Sequence, residues 1–405
     1  VFQPREGSSS TFNERRETMT NIQSAYIHIP FCQQMCHYCN FVKFFYNEKL
    51  ATEYLFALEK EINSYLPENK NRLSTLYIGG GTPTALNLEQ LTFLFEIIHK
   101  KFDVSQLDEF TIEVNPGDID DEKAKLLKYY GVNRISFGVQ VMDDQMLEQL
   151  GRVHRVKDVY QTVDLFTKNE FTNISLDLIY SLPHQSVEQF QKSLEEALAF
   201  NLPHYSTYSL QIEPRTVFFQ RHKKGQLHRP TEDDEVVMYQ ILQDSMRRQG
   251  IEQYEISNFA KPSYESKHNL AYWSNDYYYG FGAGASGYIS GERITNIKPL
   301  PAYMKKALAK EKPILQIDKI TIKEQIEEEL FLGLRKIKGY NCEIFKTKYG
   351  FPLEALYQEQ LEQLENNGLI LRNAKYLKLT DQGMLLGNRV FEEFILEEEQ
   401  LVKLS

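Results

Sequence analysis

Between residues 24 and about 214, short β-rich runs alternate with amphipathic helical segments, and few architectures accept that rhythm. The spacing predicts strands over 25–31, 75–78, 110–114, 134–139, 174–180 and 205–211, each bounded by Gly, Pro, Asp or Asn. Helical periodicity fills the gaps, over 49–65, 88–100, 121–130, 157–168 and 186–199, with stop signals at Pro67 and Gly131. Repeated β–α units imply parallel strands joined by right-handed crossovers. The predicted class is therefore α/β: a partial, TIM-like barrel of six units, with an open doubly wound sheet as the variant. In either form chemistry gathers at the C-terminal ends of the strands.

The rhythm changes after residue 215. A helix is predicted over 232–249, residues 251–297 read as mostly irregular and rich in Tyr, Gly and Asn, and a helical module begins near Thr321. That module combines helices over 321–334, 352–366 and 381–397 with a hairpin over 369–379 turning at Asn373-Ala374, which looks like a small winged helix. The predicted units are a flexible leader at 1–22, a barrel at 23–215, a connecting region at 216–315 and the C-terminal module at 316–405. Met19 is a candidate natural start.

Charge and composition exclude several classes. The net charge of −10 disfavours general nucleic-acid binding, which needs clustered Lys and Arg. The middle helix of the C-terminal module carries Glu354, Glu359, Glu362 and Glu365 and no basic residue, so it would repel phosphate. No apolar run approaches the roughly 20 residues of a membrane span. Three of the four cysteines lie within eight residues, and Cys342 stands alone as an ordinary buried thiol. That is not a disulfide framework, and it predicts a reducing cytoplasm.

The three clustered cysteines, Cys32, Cys36 and Cys39, follow the first predicted strand with C-x3-C-x2-C spacing. Thiolates suit iron–sulfur clusters and zinc. Three thiolates on a four-iron cluster leave one iron open to a small chelating molecule. A zinc knuckle would need a fourth local ligand, for which His37 or His28 could serve. Other strand ends also carry polar groups. Gly79-Gly80-Gly81-Thr82-Pro83 lets backbone groups approach a ligand closely. Glu113 closes the third strand, Gln140 the fourth, and Arg152 follows. Asp177 sits inside an apolar strand and needs hydrogen-bond partners, which ribose hydroxyls would supply. Arg152 can clamp a carboxylate. Glu113, Arg152 and Asp177 could instead form a structural ion-pair network.

The cysteine loop resembles the signature of the radical S-adenosylmethionine superfamily. Tyr26-Ile27-His28-Ile29-Pro30-Phe31-Cys32, the 79–84 stretch, Gly138-Val139-Gln140 and Asp177-Leu178-Ile179-Tyr180 resemble the oxygen-independent coproporphyrinogen III oxidase family. The resemblance covers residues 24 to about 400. It implies a [4Fe-4S] cluster on Cys32, Cys36 and Cys39. It also implies S-adenosylmethionine contacts from Tyr26, Gly80, Gly81, Thr82, Glu113, Gln140, Arg152 and Asp177. In that superfamily the open iron chelates S-adenosylmethionine and an electron from the cluster cleaves its sulfonium bond. Two departures matter. The oxidases carry a fourth cysteine two residues after the third, where this chain has Phe41, and they have a longer N-terminal arm.

Both departures match the haem-chaperone branch of that family, which carries an H-N-x-x-Y-W motif, here His268-Asn269-Leu270-Ala271-Tyr272-Trp273. The resemblance implies haem b as ligand and His268 as its axial residue. It also implies an electron donor and haem acceptors such as membrane respiratory cytochromes, and it allows a homodimer and peripheral membrane contact. Haem iron takes a His nitrogen, and the aromatic run Tyr277, Tyr278, Tyr279 and Phe281 could face a porphyrin. The alternative is that His268 is a hydrogen-bonded core histidine. The oxidase activity on coproporphyrinogen is the second functional reading. Gly282-Ala283-Gly284-Ala285-Ser286-Gly287 fits G-x-G-x-x-G literally but lacks the following helix and acidic residue of a dinucleotide site. It reads as a flexible loop near the ligand pocket.

Overall fold

The computed structural model describes residues 22–397 and 400. The expected leader and Met19 therefore lie outside the described residues, apart from Ile22. The six predicted units are present. They are β1 (Ser24–Ile29), α1 (Glu48–Tyr65), β2 (Thr75–Gly80), α2 (Leu88–Lys101), β3 (Glu109–Val114), α3 (Asp121–Tyr129) and β4 (Arg134–Gln140). The series continues with α4 (Asp144–Gln149), α5 (Val156–Lys168), β5 (Ile174–Tyr180), α6 (Val187–Leu198) and β6 (His204–Ser209). β1 to β6 are hydrogen-bonded in sequence order and all parallel. Side-chain caps start the helices. Asn87 and Gln90 form a reciprocal capping box on α2, and Ser186 and Gln189 do the same on α6.

Side-chain alternation along these strands explains the curled sheet. Ala25, Ile27 and Ile29, Leu76 and Ile78, Phe110 and Ile112, and Ile135 and Phe137 point to the helix side and are fully buried. The intervening residues are polar or small: Ser24, Tyr26 and His28; Thr75, Tyr77 and Gly79; Glu109, Thr111 and Glu113; Arg134, Ser136 and Gly138; Ser175 and Asp177; His204, Ser206 and Tyr208. Parallel sheets covered by helices on both faces have two apolar faces. One apolar and one polar face instead suit a sheet bent round a polar interior.

Residues 251–297 are not mostly irregular, and the region 216–315 is not merely a connector. After α7 (Glu232–Arg248), β7 (Glu252–Glu255) and β8 (Asn258–Ala260) extend the sheet antiparallel beyond β6. A short helix, α8 (Lys267–Trp273), follows. β9 (Tyr278–Phe281) then pairs parallel to β1 on the opposite edge. β10 (Ser286–Ile289), β11 (Glu292–Asn296) and β12 (Ile314–Lys319) continue there as an antiparallel meander, giving twelve strands in all. These strands escaped sequence reading because several are only three to five residues long and Gly interrupts their alternation. The G-x-G-x-x-G segment is also no flexible loop. Ala283 and Ala285 are buried, and Gly282 N donates to the Glu61 carboxylate at 2.8 Å.

The C-terminal module has its own core, with Ile326, Leu330, Phe345, Tyr357, Leu361, Leu377 and Phe394 at its centre. Its helices α9 (Ile322–Gly333) and α11 (Glu354–Asn366) and the hairpin strands Ile370–Arg372 and Tyr376–Leu379 follow expectation. Helix α10 (Cys342–Tyr349) was missed, and it ends on Gly350 at φ +88°. The carboxylates of α11 are partly neutralised by Arg372, which meets Glu354 at 3.2 Å and Glu365 at 3.1 Å. Backbone bonds from Ile337 N to Tyr254 O and from Ile256 N to Arg335 O dock the module on the sheet beside β7. Among the described residues no helix is long and apolar enough to cross a membrane.

Candidate functional site

A cavity of about 540 Å³ opens at the C-terminal ends of the parallel strands. That size lies within the range of small-molecule sites, roughly 300–1,000 Å³. Cys32, Cys36 and Cys39 form one wall. Gly80, Gly81, Thr82, Glu113, Gln140, Arg152 and Asp177 line the rest, so ten of the expected residues share one space. Tyr26 does not reach it. Its hydroxyl bonds His28 Nδ1 at 2.9 Å, and its ring lies 6.1 Å from that of Tyr77, which does line the cavity.

The cysteine loop is closed by a small ladder. Phe31–Cys32 pairs parallel with Phe44–Phe45, and Tyr46 N donates to Cys32 O at 2.9 Å. Cys32 is 7% exposed, and burial pushes its thiol up to about 11, opposed by the Thr82 hydroxyl 3.7 Å away. Such a thiol ionises on binding a metal. A chain of polar contacts then crosses the wall. Asn115 Nδ2 donates to Thr82 Oγ1 at 2.7 Å, and Arg152 donates to Asn115 Oδ1 at 2.8 Å and to Gly138 O. Arg152 also approaches Cys36 Sγ at 3.6 Å, and its Nε has no partner.

The glycines are needed for space. A Cβ on Gly81 would lie 2.7 Å from Phe31 O, and one on Gly79 would lie 2.7 Å from the Glu113 carboxyl. Gly80 adopts φ +115°, and a Cβ there would strike the His28 ring. Glu113 accepts from Gly80 N at 2.8 Å and from Tyr77 Oη at 2.9 Å. Burial lifts its pKa to about 7 against those two bonds. Asp177 accepts from Ser136 Oγ at 3.1 Å and Ser175 Oγ at 3.2 Å, and burial raises its pKa too. Gln140 sits at φ +74°, beside the register shift that separates Gly138 from Gln140 along β5. No side-chain salt bridge joins Glu113, Arg152 and Asp177 among the described residues, so they do not form the alternative ion-pair network.

His268 does not present itself as an axial ligand. It is buried in α8, with Nδ1 2.8 Å from Thr75 Oγ1, Nε2 2.8 Å from Tyr272 Oη, and its ring stacked on Tyr77. Burial, then the Arg134 charge, lowers its pKa to about 3. Both nitrogens are occupied, as in the core-histidine alternative. Trp273, in the same motif, lies under the Arg335 guanidinium at 5.1 Å, and only Asn269 of the motif lines the cavity. Sequence reasoning missed Tyr77, Asn115, Arg134, Ser136, Ser206 and Tyr208 as cavity residues. The polar alternation on successive strands was the signal that could have found them.

Comparisons with known proteins agree with this geometry. Residues 26–197 match the Radical SAM superfamily, and residues 320–386 match the HemN C-terminal domain. The heme chaperone HemW of Bacillus subtilis (strain 168) is 48% identical over 378 residues, which cover 93% of this chain and all of that protein. The chain belongs to the HemW family. The heme chaperone HemW of Lactococcus lactis is 43% identical over 375 residues, covering 93% of this chain and 98% of that one. The fold is that of coproporphyrinogen III oxidase (HemN) from Escherichia coli, with TM-score 0.82 at 23% identity, covering 96% and 94% of the two chains.

Membership of the HemW family, within the radical SAM superfamily, brings a [4Fe-4S] cluster and S-adenosylmethionine. The residues present fit both groups. The thiolate set is soft, Gly80 and Gly81 line the cavity with backbone alone, and Arg152 keeps an unpartnered Nε beside the cysteines. The zinc alternative fits less well. His28 spends both nitrogens, on Tyr26 and Val42 O, and His37 Nδ1 is held by Gln149 O at 2.8 Å.

Proposed function

We propose that this protein binds haem and hands it to haem-dependent acceptor proteins. The observation that carries the reading is the 48% identity to a heme chaperone over that protein's whole length. Cys32, Cys36 and Cys39 would hold the cluster. Gly80, Gly81 and Thr82 would seat the amino group of S-adenosylmethionine, Arg152 its carboxylate, and Glu113, Gln140 and Asp177 the nucleoside. Tyr26 would act through Tyr77 and His28 and not by direct contact. Held by Cys32, Cys36 and Cys39, the cluster would supply a binding position for S-adenosylmethionine and electrons for its chemistry. The chain's own residues orient that cofactor and shield it from water.

The mouth of the cavity suits a flat apolar macrocycle. Phe41 is 63% exposed on the cysteine loop, and Val153 and Tyr208 are also exposed on the rim. These three side chains give the polar pocket an apolar rim. Phe41 stands where the oxidases have a fourth cysteine, which counts against coproporphyrinogen oxidation. The acceptors would be haem proteins such as respiratory cytochromes at the membrane, reached from a cytoplasmic location, with an electron donor serving the cluster.

Anaerobic reconstitution followed by haem titration tests the reading. Wild type should bind haem, Phe41→Ser should bind it several-fold more weakly, and His268→Ala should keep most of its affinity. Indifference of wild type to haem, or conversion of coproporphyrinogen to protoporphyrinogen at catalytic rates, would overturn it.

A further inference from the structure

Deep in the cavity lies a cation with no carboxylate in salt-bridge contact, although its charge reaches Asp177 and opposes the burial-driven rise of that carboxyl's pKa. Arg134 opens β4, points into the barrel and is 2% exposed, yet it lines the cavity. Among the described residues the guanidinium makes a single hydrogen-bond contact, NH2 to His204 Nδ1 at 3.5 Å, and Nε has no partner. No carboxylate oxygen lies within salt-bridge distance of it among those residues. His204 offers no negative charge. Ser175 Oγ and Tyr254 Oη hold its ring at 2.7 and 2.8 Å, and burial and Arg134 keep it neutral. Leaving a buried guanidinium without a carboxylate is strongly unfavourable, because its charge is held out of water. Arg372 and Arg293, less buried, each meet a carboxylate.

The surroundings look like a prepared seat. Asn269 lines the same space and its side-chain amide can donate to an oxygen-bearing group, while the hydroxyls of Ser136, Ser206 and Tyr77 already serve Asp177, Ser175 and Glu113. We propose that Arg134 receives a carboxylate of the molecule that enters the barrel. Resting on the haem reading above, that carboxylate is a haem propionate. The planar guanidinium edge matches a carboxylate through two parallel bonds. A second source of the same chemistry is the carboxylate of S-adenosylmethionine. Position separates the two. Gly138, whose carbonyl takes Arg152 at the cysteine wall, lies four residues beyond Arg134 on the same strand, and the two guanidinium groups share no hydrogen-bond partner among the described residues.

The test uses the full chain with its cluster reconstituted anaerobically. Haem, haem dimethyl ester and S-adenosylmethionine are titrated separately into wild type, Arg134→Met and Arg134→Lys. Arg134→Met should weaken haem at least tenfold and leave S-adenosylmethionine unchanged. The esterified haem should bind wild type and variant alike, and Arg134→Lys should recover part of the loss. Equal haem affinity in wild type and Arg134→Met would overturn the proposal while leaving the haem reading intact. A tenfold loss for S-adenosylmethionine instead would assign the seat to the cofactor and overturn the propionate. Wild type that binds no haem at all would end the function reading, and the propionate assignment with it. Ligand-free melting guards against a folding artefact. Arg134→Met should melt no lower than wild type, because it removes a buried charge and breaks no salt bridge. A clearly lower melting temperature would make Arg134 a structural cation and overturn the proposal.

Discussion

Two buried charges in this protein are treated in opposite ways. Glu61, in α1, is fully buried and accepts from Gly282 N, Asn296 Nδ2 and Tyr303 Oη. Tyr54 sits beside it, donating to His28 O at 2.6 Å and accepting from Ala283 N at 3.2 Å. The cluster is closed, with Asn296 Oδ1 alone left over, and it ties α1 to the far edge of the sheet. Arg134 is as deeply buried, but its Nε has no partner and its side chain faces a cavity. Where the fold supplies every partner, the charge is a rivet. Where the fold withholds the partners and leaves room, the charge awaits a ligand.

The sharpest way to break that contrast is Glu61→Ala. It strands three donors in the core and should cost about 3–5 kcal/mol in denaturant unfolding, as losing one partner of a buried charged group does. A loss under about 1 kcal/mol would remove the rivet reading. The same carboxyl gives a pH signature. Burial raises its pKa to about 7 from 4.5, and the three bonds only partly oppose this. Between those values the folded state holds a proton that the unfolded state has lost, so stability falls as pH rises from 4.5 to 7 and is flat above. The fall attributable to Glu61 is about 3 kcal/mol, at about 1.4 kcal/mol per pH unit. It should be missing from Glu61→Gln when both proteins are unfolded across that range.

His268→Ala comes next. It leaves the Thr75 and Tyr272 hydroxyls without their ring partner and should cost about 1–3 kcal/mol. Arg134→Met should move the other way, gaining about 1 kcal/mol in the ligand-free protein because no pair is broken. If both variants lose stability equally, the distinction between a satisfied and an unsatisfied centre fails.

Much of this was legible in the chain. The β–α rhythm located all six parallel strands to within a few residues, because helix-facing positions such as Ile27, Leu76 and Phe137 keep strict periods. The cysteine spacing and the strand-end residues Glu113, Arg152 and Asp177 located the cavity. What stayed hidden was non-local. β9 pairs with β1, about 250 residues away in sequence, and nothing in Tyr278-Tyr279-Gly280-Phe281 names that neighbour. Glu61 read as one acid among many on α1, since its partners Gly282, Asn296 and Tyr303 lie more than 200 residues on. The motif holding His268 was assigned a ligand through its family resemblance, whereas in the fold the histidine ring is held by Thr75 and Tyr272 and stacks on Tyr77.

That last point yields the smallest and most discriminating prediction. His268 and Trp273 belong to one motif on α8 but are anchored differently: the histidine by two hydrogen bonds, the tryptophan by Arg335 over its ring at 5.1 Å. Trp273 Nε1 has no partner, so Trp273→Phe loses no hydrogen bond and keeps an aromatic face for the guanidinium. A weaker cation–π contact should cost only about 0.5–1 kcal/mol. Arg335 also carries the backbone contact from Ile256 N, at 3.1 Å, that docks the C-terminal module. If the motif is a joint between barrel and module, the variant should loosen that module locally. Amide exchange should then rise in α9 and stay unchanged in β4 and β5, with haem affinity within twofold of wild type. A large loss of haem affinity with unaltered exchange would mean that the tryptophan faces the ligand, and the motif would return from the joint to the site.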